Sequence, residues 1–376
     1  MVVATGSLAV AQFYFLPNNL GATEFGYVVL GISVIQAGLQ LADLGMVNAS
    51  LRSDVAADLR ESMRVNAVAV ASIICVIGIV GCSIVAMLRG STSPLIVAAA
   101  LACALWLVGH RADASAAAQC GDEQRTTRHN VIWQNAPKIG SIGGSFGGTA
   151  LLALVGALAT SILSSRPRMP RMPDWLLLRS SHRLWLPGLA VALSAFLLSW
   201  TETYVLTIFA GVDEAGQYQA VVRPLTGITY LYLPIVAMIQ AAHNVAARRR
   251  VFLLTGAGLG IGALGSGGVA LFLVLAGRRI WPEFDFDSTV VAGAAVACAA
   301  MCASTVIGTR LVVRGYHVIA SCNAVFGAVV LIVVSLLTVD SLGARGAALA
   351  SACAWTSVVL CHMGHLMVVG RRQRGA

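Results

Sequence analysis

Long apolar runs broken by short, arginine-bearing polar segments make up almost the whole chain. Residues 25–44 show the unit of the pattern. They carry no Lys or Arg over some twenty residues, about the length that crosses ~30 Å of hydrocarbon. Thr23 precedes the run as a candidate helix cap, and Glu24 sits in the first turn, where the helix dipole favours an anion. Asp43, Gly45 and Asn48 end it, and Arg52 leads into a charged loop. Repeated along the chain, the pattern predicts about twelve membrane helices. They fall at residues 2–17, 25–44, 66–88, 94–118, 129–143, 149–163, 184–210, 216–242, 251–276, 288–313, 318–339 and 343–369. The stretch 129–163 is the tightest. It reads as two short crossings or a re-entrant pair, with the Gly-rich residues 143–148 as the turn, in preference to a single crossing, which would invert everything downstream.

The pattern also repeats at long range. Residues 211–218, GVDEAGQY, echo residues 21–27, GATEFGY: Gly21, Glu24 and Gly26 map onto Gly211, Glu214 and Gly216 at one constant offset. A second echo relates GTALLA from Gly148 to GAALAS from Gly346. Both point to an internal duplication. The predicted fold is an all-α membrane protein of two six-helix bundles, related as parallel repeats around a central cavity. The lobes would be residues 1–165 and 184–376, joined by a Pro- and Arg-rich cytoplasmic linker at 166–183. Within that linker, Trp175 to Leu178 read as a segment resting on the lipid interface.

Composition sharpens this reading. Hydrophobic residues are 58% and charged residues 11% of the 376-residue chain, and the mean hydropathy is +0.82. Soluble domains carry roughly 25% charged residues. Lys138 is the only lysine, and the arginines gather at helix ends, so the net charge of +9 speaks of topology and headgroups, not of nucleic acid. The nine cysteines lie in or beside apolar runs without a CxxC pair, which leaves no metal or redox motif and no implied cofactor. Arginines concentrate in alternate loops, which places both termini in the cytoplasm. Residues 1–17 lack the basic start and the cleavage site of a signal peptide and read as a first membrane helix. The missing basic start leads us to expect that the chain begins late.

The run from Gly21 to Arg52 resembles the second-helix signature of bacterial polysaccharide flippases. These are the O-antigen, capsule and exopolysaccharide transporters of the multidrug/oligosaccharidyl-lipid/polysaccharide superfamily. The resemblance falls on Gly21, Phe25, Gly26, Tyr27, Asp43, Leu44, Gly45 and Arg52. In the second half it falls on Gly211, Gly216, Tyr218, Ala220 and Arg223, and on Gly343, Gly346, Ala347 and Ala348. It implies a transporter of the bacterial plasma (inner) membrane, not an enzyme. The implied substrate is a polyprenyl-diphosphate-linked oligosaccharide, moved by alternating access in polysaccharide biosynthesis. Membrane lipids and glycan-assembly enzymes are the implied partners. Helix seven in that family opens with an Asp; here Glu202 is the nearest acid.

Polar residues within the apolar runs are the candidate site. A charged side chain at the bilayer centre costs ~3 kcal/mol on insertion scales and usually faces an interior cavity. Arg223 and Lys138 read either as cations that meet a diphosphate or as side chains that snorkel to headgroups. Glu202 pairs with Arg223, binds a coupling proton or sodium, or makes an interhelical hydrogen bond as a protonated carboxyl. Gln36 and Gln40, one turn apart, bind sugar hydroxyls or join helices. Asp43, Arg52, Glu24 and Glu214 stand at helix ends in structural or gating positions. The pair His362 and His365 has no third metal ligand and reads as interfacial. Gly256, Gly260 and Gly265 read as a close helix contact. The competing functions are a drug/cation antiporter of the same superfamily, a membrane glycan polymerase or ligase, and a non-transporting scaffold. The antiporter would favour acidic cavity residues, and the enzyme would need a large catalytic outer loop.

Overall fold

The computed structural model describes residues 2–50, 56–90, 92–120, 122–164, 172–229, 235–236, 238–239, 248–313 and 316–372. Arg52 and most of the linker's arginines lie outside them. Every regular element among the described residues is helical. We number them α1 (Val2–Gln40), α2 (Met46–Ser50), α3 (Ala57–Arg89), α4 (Ser93–Gln119), α5 (Glu123–Ser145), α6 (Ala150–Ser164), α7 (Trp175–Ser180), α8 (His182–Phe209), α9 (Val212–Thr226), α10 (Arg248–Ile280), α11 (Ser288–Val313), α12 (His317–Leu342) and α13 (Ala344–Arg372). Eight of them are long and apolar enough to cross a membrane. The expected set of about twelve spans is not reproduced helix for helix: α1 takes in the first two, α6 is a shorter apolar helix and α5 is not among the eight, while much of the expected span 216–242, beyond α9, lies outside the described residues.

The chain divides into two compact units, residues 1–196 and 197–376. The division falls inside α8, a single helix whose first half belongs to unit 1 and whose second half belongs to unit 2.

In unit 1 the long helix α1 is two arms. Gly21 sits at φ 68°, ψ 173°, outside helical geometry and on the side that glycine alone adopts freely. Hydrogen bonds show that the chain reverses there. Gln12 Nε2 donates to Ser141 Oγ and Asn19 Nδ2 to Ser145 Oγ, each at 2.9 Å. Past Gly21, Glu24 reaches Ala150 and Gly31 packs on Leu154. Helices α5 and α6 are themselves a close hairpin, with Gly140 against Gly156 and Gly144 against Leu152. Residues 12 and 31 therefore stand at similar heights, which a straight helix rising 1.5 Å per residue would forbid. The hairpin contact explains how the tight stretch 129–163 folds: small residues let the two backbones approach.

Unit 2 repeats this plan. Gly211 sits at φ 97°, ψ 169° between α8 and α9. Gln219 Nε2 donates to Thr203 Oγ1 at 2.6 Å across the reversal. Helices α12 and α13 turn at Gly343, where φ is 53°, and Thr338 Oγ1 donates to Gly346 O at 3.1 Å. In helix α10 the close contacts fall on Gly258, Gly262, Gly265 and Gly277, which face Val306, Cys302, Ile228 and Phe286. The expected Gly256 and Gly260 face open space; only Gly265 was placed rightly.

Candidate functional site

Two helix ends are joined in the same way in the two units. Glu24 Oε2 accepts the N–H of Ala150 at 2.6 Å. Glu214 Oε1 accepts the N–H of Ala344 at 3.1 Å. Ala150 begins α6 and Ala344 begins α13, so each N–H is one that helix geometry leaves without an in-helix partner. The sequence assigns these acids to the first turns of their own helices. The structure shows that each carboxylate caps another helix, more than a hundred residues away.

The richest buried polar cluster lies in unit 2, where α8, α9 and α13 meet. Arg223 of α9 stacks its Cζ 3.9 Å above the centre of the Trp200 ring on α8. A cation over an indole face gains ~2 kcal/mol or more once desolvated. Glu202, two residues beyond Trp200, is 3% exposed. It interacts with the Arg223 charge and with the Ser351 hydroxyl of α13. Its Oε2 accepts no hydrogen bond among the described residues, nor does the Oε1 of Gln219. Tyr218, fully buried one residue before Gln219, also interacts with Ser351. Pro224 follows Arg223 within α9, and near the helix end Cys298 Sγ reaches Leu225 O at 3.1 Å. Arg223 and Glu202 were predicted; Trp200, Tyr218, Gln219 and Ser351 were missed as site residues. The run GQYQAVVRP carried the signal for one of them, since Gln219 and Arg223, four residues apart, share a helix face.

In unit 1 the polar candidates are spread out. Asp43 is fully buried, and its Oδ2 takes a hydrogen bond from Arg111 Nη1 at 2.7 Å. Arg111 also donates to the carbonyl of Leu39. Arg111 lies inside α4, within the expected span 94–118. The Asp43 Oδ1 accepts from Gly45 N at 2.8 Å. This holds a turn in which Leu44 (φ 52°) and Gly45 (φ 75°) are both left-handed, and the turn presses on the backbone of Gly188 and Leu189. Gln36 and Gln40 bond to each other at 2.8 Å, along one helix face. Lys138 is half-buried on α5, one residue after Pro137. His110 and His129 meet through their Nδ1 atoms at 2.9 Å.

The histidine pair of unit 2 has a partner the sequence did not suggest. Asn323 Nδ2 lies 2.8 Å from His362 Nδ1 and 3.3 Å from His365 Nδ1. No group of three or more His, Cys, Asp or Glu side chains that could hold a metal occurs among the described residues.

No protein-family model matches the chain, and no curated protein matches it by sequence. Solved structures do. The lipid II flippase MurJ in an inward closed conformation matches at TM-score 0.73 and 10% identity, over 97% of this chain and 86% of that one. An inward-facing multidrug resistance MATE family transporter of the MOP superfamily matches at TM-score 0.55 and 15% identity, over 99% and 95%. A MOP superfamily transporter from Pyrococcus furiosus, described by a binding pocket of reverse polarity, matches at TM-score 0.57 and 13% identity, over 98% and 93%. At these identities the likeness is one of fold. The long apolar helices and that likeness establish a multi-pass membrane protein with the fold of MOP superfamily transporters.

Proposed function

We propose that the chain translocates a polyprenyl-diphosphate-linked oligosaccharide across the bacterial plasma membrane by alternating access, in polysaccharide biosynthesis. The observation that carries this reading is Arg223, a guanidinium held on a membrane helix by the Trp200 ring. Arginine stays charged when desolvated, and its planar donors match phosphate oxygens. Lys138 is the second candidate cation. The likeness to a lipid II flippase supports a lipid-linked substrate. In this reading Gln36 and Gln40 offer amides to sugar hydroxyls, while Asp43, Glu24 and Glu214 keep helix ends in place. Arg52, which lies outside the described residues, is kept as a structural or gating position.

The test is lipid identification by mass spectrometry on protein purified in mild detergent from its host. Wild type should carry a polyprenyl-diphosphate glycan, and Arg223→Ala should lose most of it. Bulk phospholipid alone in both, with the glycan precursor present in the membrane, overturns the reading.

A second reading, the drug/cation antiporter, is favoured by one observation. Glu202 is a buried acid with an oxygen that accepts no hydrogen bond among the described residues. Binding of an organic cation to wild type that Glu202→Gln abolishes would support it over the flippase.

A further inference from the structure

Helices α4 and α5 of unit 1 meet through a pair of histidines. His110 Nδ1 and His129 Nδ1 stand 2.9 Å apart, and both side chains are part-buried. The ring centres are 5.2 Å apart. That exceeds the nitrogen contact by roughly the width of an imidazole, nearly the largest separation the contact permits. The two nitrogens therefore face each other along one line. A metal ion held by both at ~2.1 Å would draw the lone pairs together from the side, and the ring centres would stand closer. The alignment is that of a single proton lying between two imidazoles.

The protons on this pair can be counted. A neutral imidazole carries one N–H and one bare nitrogen. One ring therefore donates through Nδ1 and keeps its Nε2 bare. The other accepts at Nδ1 and carries its hydrogen on Nε2. A first added proton has one place that leaves the bond intact, the bare Nε2 of the donor ring. The donor becomes an imidazolium, and the bridge becomes a charge-assisted hydrogen bond, the stronger kind. Only the accepting Nδ1 then remains bare. A second proton must land there. Two N–H groups on like-charged rings would face each other, and the bridge breaks.

His110 also lines a cavity of about 30 Å³ with Ser72, Trp106, Gly109 and Asp113, room enough for a water molecule. Asp113, one turn along α4, brings its carboxyl group to the same cavity, while Arg111 is turned to Asp43. On α3, Asp58, Arg60, Glu61 and Arg64 all lie a turn or more before Val68, the first residue of that helix at the cavity. On α5, Arg125 and Arg128 are exposed. Helices α2 and α6 have no ionisable side chain, and α1 has none after Tyr27.

We propose that His110 and His129 form a proton-binding site of unit 1 that clasps α4 to α5. The clasp holds with no added proton, tightens with one and opens with two. His110 precedes Arg111, so the clasp fixes the turn of α4 that carries the Asp43 ion pair. The site does not depend on what the chain transports.

The experiment is an NMR titration with pH of purified full-length protein carrying isotope-labelled histidine, in detergent. His110→Gln and His129→Gln assign the two rings by loss of their signals. Wild type should show one ring protonated at Nδ1, one at Nε2, and a scalar coupling between the two Nδ1 nuclei across the bridge. The pair should take up its protons in two separate steps, with the coupling kept through the first and lost at the second. In His129→Gln, His110 should titrate in one step. The wild-type spectrum alone decides whether the coupling exists. Two uncoupled rings, each titrating in one step whether or not its partner is present, overturn the clasp. Loss of the coupling at the first step overturns the order of events. A zinc ion that co-purifies with wild type and is lost from both variants overturns the proton site in favour of a metal site.

Discussion

Glu24 hydrogen-bonds the first N–H of α6 at Ala150, and Glu214 hydrogen-bonds the first N–H of α13 at Ala344. Each sits three residues past a left-handed glycine, Gly21 or Gly211. The two contacts close the same loop of structure in each unit: an antiparallel helix pair that reverses at glycine, clipped to a second hairpin by a carboxylate. Glu24→Ala and Glu214→Ala should each lower stability by ~1 kcal/mol, the usual worth of a helix cap. Glutamine should recover part of the loss, because its amide oxygen still accepts. Thermal unfolding in detergent measures both. An unchanged melting temperature in the alanine variants would show that the caps contribute nothing.

The Asp43–Arg111 pair should behave as a buried ion pair. Arg111→Ala leaves a carboxylate without its countercharge and should cost ~3–5 kcal/mol. The double change Asp43→Ala/Arg111→Ala should cost less than the two single changes added together, because no lone charge remains. Denaturation of the four proteins gives the coupling. Strict additivity would mean that the pair does not hold the Leu44–Gly45 turn.

Helix α10 offers a register test. A Cβ at Gly262 would lie 2.6 Å from the Cβ of Cys302, whereas one at Gly260 meets nothing within 4 Å. Gly262→Ala should therefore destabilise by ~1–3 kcal/mol through overpacking. Gly260→Ala should stay within ~0.5 kcal/mol or gain slightly from helix propensity. Equal effects would place the helix in another register.

How much of this was legible in the sequence depends on range. The echo of Gly21 and Glu24 in Gly211 and Glu214 was readable, because a duplication preserves spacing along the chain. Where the glutamates point was not. A first-turn acid serves its own helix dipole in any local argument, and only the folded hairpins bring Ala150 and Ala344 within reach. The Asp43–Arg111 pair was hidden for a related reason: its two members are far apart in sequence. Arg223 was legible as a cation in an apolar run; its Trp200 platform required knowing that α8 and α9 fold back at Gly211. The α10 glycines show the limit of spacing arguments. Several glycine registers fit one helix, and the facing helix decides among them.

The acid side of the stability profile should carry the mark of Asp287. Hydrogen bonds from Arg345 and from the Thr289 backbone hold its carboxyl below the usual carboxylate range. The charged form is thus favoured in the folded protein. The contribution is complete above the ordinary carboxylate value of about 4 and fades as pH falls through the lowered one. Asp287→Asn should melt below wild type at neutral pH and converge with it in strong acid. A gap that widens on acidification would contradict the assignment.

The most direct test of the account is translocation itself. Purified protein is reconstituted in vesicles with a polyprenyl-diphosphate oligosaccharide bearing a reporter sugar, and the fraction reaching the far leaflet is followed with a membrane-impermeant reagent. The account predicts movement well above empty vesicles, and a severe loss in Arg223→Ala at unchanged folding. Movement no faster than in empty vesicles, from protein that exchanges an organic cation across the same membranes, would contradict it and favour the antiporter.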